Sequence, residues 1–330
     1  MTLAVRPEEL TTFDPYLQLP GVVYTDELYL KVEHLNTAGS VKMKAARYLI
    51  SDAEKKHGDL SGRLIIESSS GNLGIALAMI CAARNYKFRC VVDPNSNVAA
   101  IAEMQAYGAE IHRVCDRDEN GGYLGTRLAA IDQIIATDST AIWLNQYQNP
   151  SNPIAHMALT GPELAAAFHH IDYLFIGVGT GGTIRGVVDY LSRLGTATTV
   201  VAVDTVGSVT FGDDPAPRYI PGLGTSRRPG HVQGLDVDNI ELVDELAAVV
   251  ECRRLAREHG LLAGGSTGSV MAAIRRYDSG FKKHDVVVGI SPDSGQRYLN
   301  TIFDDCWVAT TFGAVVPSVS ATPTRNELQP

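Results

Sequence analysis

Short apolar runs alternate along the chain with stretches in which apolar residues recur at helical spacing. The first series of apolar runs consists of RLIIES, KFRCVVDP, EIHRVCD and AIWLNQY, and the second of YLFIGVG, TTVVAVDT and DVVVGISP. Strands that alternate with helices of this length predict mostly parallel sheets with helices on both faces. Because the pattern occurs in two series, we predict an α/β fold with two lobes around a shared cleft.

The alternating pattern breaks at QNPSNP, residues 148–153, where prolines interrupt both strand and helix. We therefore predict a smaller, mobile lobe over residues 36–148 and a larger lobe over residues 149–308. An N-terminal segment, residues 1–35, is expected to pack on the larger lobe. The tail, residues 309–330, is rich in Pro, Ser and Thr and is predicted to be disordered.

The composition is that of a globular protein, and the charge narrows its partners. The 330 residues include 28 Lys+Arg and 37 Asp+Glu, so the net charge is -9. This balance argues against a general nucleic-acid-binding surface, which needs clustered positive charge. The N-terminus lacks the apolar core of a signal peptide, and no apolar run approaches the roughly 20 residues that span a bilayer. We predict a cytoplasmic protein that binds neither nucleic acid nor membrane.

The cysteine and histidine spacings favour neither disulfide nor metal chemistry. Five cysteines occur without a C-x-x-C spacing, and nine histidines occur without H-E-x-x-H. The sequence therefore predicts neither a disulfide framework nor a metal site. Cys81 and Cys90 lie in apolar runs and are predicted to be buried thiols.

Two lysines, Lys42 and Lys44, follow the small-residue turn NTAGSV. They could lie in a solvated first turn of a helix, or one of them could have a chemical role in a site. Further on, ESSSGNLGIALA places three serines and Asn72 between a strand and a helix, an arrangement that suits a carboxylate or another anion at the helix N-terminus. A well-capped helix would use some of these residues, but three serines plus an asparagine exceed what one cap requires.

A second glycine-rich turn, GVGTGGTIRG, matches two motifs. Gly177, Gly179 and Gly182 fit G-x-G-x-x-G after a strand, and Asp204 follows about twenty residues later, as in a dinucleotide-binding fold. That fold usually opens its domain, whereas this turn comes after mid-chain. Thr180 and Thr183 are better suited to one phosphate monoester, so a phosphate-binding loop is favoured.

A third turn, LAGGSTGSVMAAI, contains G-x-S-x-G around Ser266. A hydrolase nucleophile elbow needs a downstream acid and then a histidine. Only Asp278 and His284 follow Ser266 in a suitable order, and they form a poor triad. We therefore predict that Ser266 makes one hydrogen bond inside the cleft.

The combination of GSVK, SSGNLG, GTGGT and GGSTG resembles the fold-type II pyridoxal-phosphate enzymes of the cysteine synthase and cystathionine β-synthase family. The segment SPDSGQRYL near the end is similar to a further signature of that family, and the match extends in order over almost the whole chain. The resemblance implies a tryptophan synthase β-like fold, pyridoxal 5'-phosphate as the cofactor, and a homodimer. A catalytically silent homologue is the alternative from another class, although the lysine and all three loops are present.

The resemblance also implies roles for particular residues. Lys42 aligns with the Schiff-base lysine, whereas Lys44 stands where the family usually has arginine, after an Asp that Met43 replaces. The cofactor-binding residues implied are Lys42, Asn72, Gly179, Thr180, Gly181, Gly182, Thr183 and Ser266. The residues implied for the substrate carboxylate are Ser69, Ser70, Asn72 and Gln146. A neutral partner for the ring nitrogen, Ser266, favours β-elimination and addition through an α-aminoacrylate.

Further stretches, among them CVVDP, GGYLGTRLA, WLNQY and PGLGTSR, resemble the branch of this family that joins O-phospho-L-serine to L-glutamate. That transferase reaction leads to 2,3-diaminopropionate for siderophores or peptide antibiotics. By this resemblance Arg127 and Tyr147 would bind the leaving phosphate, although a solvated helix residue is the simpler interpretation of Arg127. Arg227 and Arg228 are candidates for glutamate on charge alone. The alternative is a cysteine synthase that uses O-acetylserine or O-phosphoserine with sulfide.

Overall fold

The computed structural model of the chain describes residues 4, 6–10, 15–119, 121–212, 214–314 and 316. Within these residues the strands are β1 (Tyr16–Gln18), β2 (Leu28–Val32), β3 (Leu64–Ser68), β4 (Lys87–Val92), β5 (Glu110–Arg113), β6 (Ala141–Trp143), β7 (Tyr173–Gly177), β8 (Thr199–Thr205), β9 (Asn239–Val243) and β10 (Val287–Ser291). The helices are α1 (Lys42–His57), α2 (Asn72–Ala83), α3 (Val98–Ala106), α4 (Leu124–Thr137), α5 (Ser151–Ala158), α6 (Thr160–Ala167), α7 (Gly182–Leu194), α8 (Glu245–His259), α9 (Gly265–Arg276) and α10 (Asp305–Phe312). Strands and helices alternate as the apolar runs predict.

The smaller sheet has the strand order β5-β4-β3-β6, and every pair in it is parallel. All five residues of β3 are buried, which is expected of a central parallel strand with helices on both faces. Leu49 of α1 and Ile75 of α2 belong to the core on one side of this sheet, and Ile131 of α4 belongs to the core on the other. The carboxyl ends of these strands lead into the loops that line the cleft.

The larger sheet has the strand order β1-β2-β10-β7-β8-β9. Only the pair β1–β2 is antiparallel among the described strands, and β2 pairs in parallel with β10, from Leu28 opposite Val287 to Val32 opposite Ser291. Helices α7 and α9 pack on this sheet and contribute to two separate cores. The two-lobed α/β architecture confirms the predicted fold class.

The N-terminal segment does not pack on the larger lobe throughout. Strands β1 and β2 do join the larger sheet, but the 3-10 turn Pro7–Glu9 lies against the smaller lobe. Glu8 accepts a hydrogen bond from Arg84 at 3.1 Å, and the carbonyl of Pro7 accepts one from Thr37 at 3.0 Å. The expectation that residues 1–35 pack on the larger lobe is therefore wrong for this turn, because a buried ion pair attaches it to Arg84, directly after α2.

The predicted start of the disordered tail, residue 309, is also too early in the chain. Helix α10 continues to Phe312, where the ring of Trp307 packs edge-on against that of Phe312 at 5.6 Å. Residues 309–312 are therefore helical, because the aromatic contacts and the buried Val308 outweigh the Thr-rich composition. Residues 315 and 317–330 lie outside the described part of the chain.

All five cysteines are free: Cys81, Cys90 and Cys252 are buried, and Cys115 and Cys306 are exposed. The prediction that Cys81 and Cys90 are buried thiols is confirmed.

None of the helices found in the described ranges has both the length and the apolar character that a membrane span requires.

Candidate active site

Lys42 is the first residue of α1, at the floor of a cleft of about 570 Å³ between the two lobes. The preceding turn is built by Asn36, whose side chain accepts a hydrogen bond from the Ala38 amide and donates one to the Ser40 carbonyl. The Val41 amide donates to the Pro292 carbonyl at 2.8 Å, which ties the turn to the end of β10. The small residues of this turn therefore let α1 begin directly at the interface of the lobes.

The Lys42 amine is set up to react rather than to pair with an acid. Its Nζ makes no hydrogen bond or ion pair with the described residues, and burial lowers its pKa from the usual 10.5, while the negative charge of Asp293 opposes that shift. A lysine with a lowered pKa has a larger neutral fraction, which can act as a nucleophile or a base. Lys42 is thus the residue of this cleft best suited to covalent chemistry.

Lys44 has a different environment, two residues further along the same helix. Its Nζ donates to Glu33 at 2.9 Å and to Glu163, and the buried Lys31 pairs with the same two carboxylates. Side chains two apart on a helix point in different directions. Lys44 accordingly belongs to a buried ion cluster behind the cleft and is not part of its lining.

The turn Gly179–Thr183 lies between β7 and α7 and shows the backbone features of a phosphate-binding loop. Gly181 has a φ of +83°, a conformation that disfavours side chains. A Cβ added at Gly182 would lie 2.1 Å from the Asn152 side-chain oxygen, so a glycine is required there. The amides at the N-terminus of α7 and the buried hydroxyls of the loop can therefore approach an anion closely.

Residues of α5 hold the two loop hydroxyls in position. The Asn152 amide donates to the Thr180 hydroxyl at 3.2 Å, and His156 Nε2 lies 3.3 Å from the Thr183 hydroxyl. His156 Nδ1 is 3.0 Å from the Thr160 hydroxyl, and burial lowers the pKa of this imidazole well below 6.5. A neutral His156 therefore orients Thr183 without adding charge. Neither of these α5 residues is predicted from the sequence, where their spacing of four on one helix face is the only signal.

Ser266 lies near the start of α9 and is buried. Its hydroxyl is so close to the backbone of Gly222 that a Cβ there would meet Ser266 Oγ at 2.4 Å. His284 is exposed, whereas Ser266 is buried, so the hydrolase triad considered for Ser266 is not assembled. Ser266 instead lines an inner pocket together with Lys42, Asn72, Asp293 and the loop Gly179–Thr183.

The inner pocket fits pyridoxal 5'-phosphate. That cofactor needs a lysine amine for its aldehyde, a phosphate loop at a helix N-terminus, and a partner for its ring nitrogen. Lys42, the loop Gly179–Thr183 and Ser266 line one pocket and would supply these groups to a bound cofactor. Gly181 packs against Val232, and Gly182 packs against Asn152, so a side chain at either position would displace the loop from its place at the N-terminus of α7.

The loop between β3 and α2 supplies the predicted substrate residues. Ser69 Oγ accepts hydrogen bonds from the amides of Gly71 and Gly74 at 3.2 and 3.0 Å, so it also caps this turn. The side-chain amide of Gln146 donates to the Ser68 carbonyl at 2.6 Å. The predicted carboxylate-binding residues that line the cleft are Ser69, Ser70, Asn72 and Gln146.

Asp293 is a buried carboxylate whose role the sequence analysis did not identify. One oxygen accepts hydrogen bonds from the Asn72 amide at 2.8 Å and the Tyr298 hydroxyl at 2.7 Å. The other is buried without a hydrogen-bond partner among the described residues, and burial raises the pKa of the group. Arg297 donates to the Asn72 oxygen at 3.3 Å. Asp293 and Arg297 thus fix both ends of the Asn72 amide, and the signature SPDSGQRYL was the available signal.

Arg127 lies on α4 and is 9% exposed, so it is not the solvated helix residue that its local sequence favours. Its Nε is 3.2 Å from an Asp93 carboxylate oxygen, an ion pair without hydrogen-bond alignment, and its Nη1 is buried with no hydrogen-bond partner among the described residues. Tyr147 lies 3.5 Å from the Ser68 hydroxyl, and burial raises its pKa. Arg127, Asp93 and Tyr147 line the outer part of the same cleft as Lys42.

Arg227 and Arg228, the candidates for glutamate on charge alone, do not lie in the cleft. Both are exposed, and neither lines the cleft. Arg117, Arg218 and Arg297 do line it. Net charge in a nearby loop was therefore a poor guide, because the fold turns this part of the loop towards solvent.

The fold and the pocket define a pyridoxal-phosphate enzyme. The sequence profile described as pyridoxal-phosphate dependent enzyme matches residues 8–293, and the chain belongs to that family. It is 43% identical over 284 residues to N-(2-amino-2-carboxyethyl)-L-glutamate synthase of Ralstonia nicotianae, covering 86% of this chain and 84% of that protein. The synthase of the same name from Cupriavidus metallidurans is 38% identical over 309 residues, which are 92% of this chain and 91% of that one. The solved structure of O-ureido-L-serine synthase has a TM-score of 0.84 at 31% identity and covers 93% of this chain and 100% of that chain.

Proposed function

We propose that this enzyme catalyses β-replacement on O-phospho-L-serine by L-glutamate and gives N-(2-amino-2-carboxyethyl)-L-glutamate and phosphate. The Cβ–O bond to phosphate breaks, and a Cβ–N bond to the glutamate amine forms. The buried Arg127 guanidinium carries the proposal, because its Nη1 has no hydrogen-bond partner among the described residues and it lines the cleft that contains Lys42. The names and the 43% and 38% identities of the two relatives support the same reaction.

The chemistry of the leaving group explains why a buried guanidinium is useful. A phosphate monoester carries up to two negative charges, and more charge collects on its bridging oxygen as the Cβ–O bond breaks. Arg127 can offer charge-assisted hydrogen bonds to such an anion, and the Tyr147 hydroxyl can donate another. The ion pair with Asp93 holds the guanidinium in place and balances its charge when no substrate is bound.

Lys42 would move the proton at the substrate Cα. Pyridoxal phosphate, when bound, supplies the electron sink that makes this proton acidic. The amine of Lys42 can take the proton as phosphate leaves and return it after the new C–N bond forms, and its lowered pKa favours the neutral form that this needs. Ser266 places a neutral hydroxyl in the cofactor pocket, which keeps the sink weaker than a carboxylate would.

The alternative of a sulfhydrylase that uses O-acetylserine receives no comparable support from the cleft. The acetyl ester is neutral and hydrosulfide is small, so neither provides a partner for the buried guanidinium of Arg127. A phosphoserine sulfhydrylase would use Arg127 in the same way, and the two reactions then differ only in the nucleophile.

The test is to identify the product. The purified holoenzyme is incubated with O-phospho-L-serine and equal concentrations of L-glutamate and sulfide, and the amino-acid products are identified by mass while phosphate is quantified. We expect the glutamate adduct in amounts equal to the phosphate released. Release of phosphate with cysteine as the main product, or with no new C–N bond, would overturn the proposal.

The assembly and the pathway are further proposals that rest on the family resemblance. We propose a cytoplasmic homodimer whose product is a precursor of 2,3-diaminopropionate for a siderophore or a peptide antibiotic. Light scattering of the purified holoenzyme tests the dimer, because a mass of one 35.4 kDa chain would contradict it.

A further inference from the structure

The cleft is strongly cationic in a chain whose net charge is -9. Five basic residues line it, and Asp93 is the one acidic residue among its described lining. A surface of one sign in a concave site attracts ligands of the opposite sign. The basic residues of the lining are Lys42, Arg117, Arg127, Arg218 and Arg297.

Three of these five cations already have a partner or a task. Lys42 is the reactive amine, and Arg127 pairs with Asp93. Arg297 donates to both carboxylate oxygens of Glu103, at 3.0 and 3.1 Å, and to backbone carbonyls of the turn before α1. Arg117 and Arg218, by contrast, form no ion pair with a carboxylate of the described residues.

Arg117 lies on the loop between β5 and α4, at the mouth of the cleft, and is exposed. Its guanidinium carbon is 4.9 Å from the centre of the Tyr123 ring, and its Nη1 donates to the Gly121 carbonyl. These contacts limit the positions of the side chain without neutralising its charge. Asp118 accepts hydrogen bonds from the amides of Gly122 and Gly125, both at 2.9 Å, which stabilises the loop.

Arg218 lies on the loop of the larger lobe that follows β8, and it is half-buried. Its Nη1 donates to the Leu223 carbonyl at 3.2 Å, whereas its Nε is buried without a hydrogen-bond partner among the described residues. The negative charges of the buried Asp204 and of Glu245 both act on Arg218. Glu245 also accepts hydrogen bonds from the backbone amides of Tyr219 and Ile220. An unsatisfied guanidinium nitrogen is costly when buried, so an anionic ligand at this point would be favourable.

The two loops meet across the mouth of the cleft. A Cβ added at Gly122 would lie 2.6 Å from Ser226, and the Ser226 hydroxyl is 3.5 Å from Asp118. The loop of the smaller lobe that carries Arg117 therefore borders the same opening as the loop of the larger lobe that carries Arg218. The lining of the cleft therefore contains one of these two cations from each lobe.

We propose that Arg117 and Arg218 bind the two carboxylates of the incoming dicarboxylic amino acid, an inference that rests on the proposed β-replacement by glutamate. The amine of this nucleophile must reach the substrate carbon near Lys42, and its α-carboxylate is attached to the same carbon as the amine. The α-carboxylate therefore belongs with the half-buried Arg218, and the γ-carboxylate with Arg117 at the mouth.

The first test compares the variants Arg117→Gln and Arg218→Gln with the control Arg227→Gln/Arg228→Gln. The control removes two positive charges from exposed positions that do not line the cleft. Loss of a hydrogen-bonded charge pair corresponds to a factor of about ten to one hundred in binding. We expect the KM for L-glutamate to rise by this factor in each cleft variant, with little change in the KM for O-phospho-L-serine and no change in the control.

A second measurement separates recognition from a structural effect. L-Glutamine lacks the charge of the γ-carboxylate, so we expect the wild-type enzyme to prefer L-glutamate and Arg117→Gln to lose that preference. Arg218→Lys, which keeps the charge, should restore part of the glutamate affinity even if Arg218→Gln folds poorly. Wild-type KM for L-glutamate in both Gln variants would overturn the inference while leaving the proposed function intact. Phosphate release by the wild-type enzyme without a glutamate adduct would instead overturn the proposed function, and the inference with it.

Discussion

The cleft contains two candidate sites for phosphate that are built in opposite ways. The inner site, at Gly179–Thr183, offers backbone amides at a helix N-terminus and hydroxyls oriented by Asn152 and a neutral His156. The outer site offers the full charge of Arg127, balanced by the carboxylate of Asp93. The inner site is therefore dipolar, and the outer site is ionic.

The difference matches two different tasks. A cofactor phosphate keeps the same charge throughout the reaction, and fixed dipoles at a helix N-terminus are sufficient to hold it. A leaving phosphate gains charge in the transition state, and a cation beside it stabilises the transition state more than the ground state. On this view Arg127 contributes to the rate and to the choice of leaving group, whereas the loop at Gly179–Thr183 contributes to retention of the cofactor.

Lys42 lines both the inner pocket and the outer cleft. Its replacement should have the largest effect on activity. General acid–base and covalent roles together correspond to at least about a thousandfold in rate. We expect Lys42→Ala to reduce phosphate release from O-phospho-L-serine by that factor. Lys55→Ala, an exposed lysine on the same helix, is the matched control and should retain full activity. Substantial turnover by Lys42→Ala would show that neither site serves the proposed reaction.

The acid Glu67 should make stability depend on pH, because Glu67 is fully buried near Arg127 and burial raises its pKa from 4.5 to about 7. The folded state therefore holds this proton more tightly than the unfolded state. Its stabilising contribution is complete below pH 4.5 and is lost as the pH rises through 7, by up to about 3 kcal/mol in the free energy of unfolding.

Urea denaturation between pH 4.5 and pH 7 measures this dependence. The contribution of Glu67 to this slope should be lost in Glu67→Gln and kept in Glu119→Gln, which changes an exposed acid. An unchanged slope in Glu67→Gln would assign the pH dependence to other groups.

Arg127→Gln should remove the positive charge of the outer site and leave the carboxylate of Asp93 without its ion-pair partner. We expect kcat/KM for O-phospho-L-serine to fall by about ten to one hundredfold, the value of one charge-assisted hydrogen-bonded contact. The neutral O-acetyl-L-serine should be affected little. Equal losses for both substrates would contradict a role in recognising the leaving phosphate.

Stability needs a separate control in this experiment, since a buried charge without its partner is destabilising. The double variant Asp93→Asn/Arg127→Gln removes both charges. It should recover the thermal stability that Arg127→Gln loses, but it should not recover the preference for the phosphate ester.

Gly182→Ala should weaken the inner site by the smallest factor. The added Cβ would lie 2.1 Å from the Asn152 oxygen, and relief of such a contact costs on the order of 1 kcal/mol at the lower end, or about fivefold in affinity. Titration of the apo protein with pyridoxal phosphate measures the dissociation constant. Gly280→Ala, where an added Cβ meets nothing within 4 Å, should bind the cofactor like the wild type.

Several elements of the fold escaped the sequence analysis for identifiable reasons. Strand β2 (Leu28–Val32) contains Lys31, which reads as exposed but is buried against Glu33 and Glu163. Strand β9 (Asn239–Val243) is short and mostly unburied at the edge of the larger sheet, so it lacks the apolar run of a central strand. Both depend on partners distant in the chain, which local periodicity does not report.

The amino-acid sequence by itself determined the alternating α/β pattern and the three loops that follow strands. Glycine conformations, hydroxyl-rich turns and a lysine at a helix start are local features, because backbone geometry and capping depend on neighbouring residues. Only the tertiary structure decided the environment of Arg127, the orientation of Asn72 by Asp293, and the separation of Arg117 and Arg218 from Arg227 and Arg228. Burial and ion pairing join residues that are far apart in the chain. The group that a charged side chain binds is therefore decided by the tertiary fold and not by the neighbouring residues.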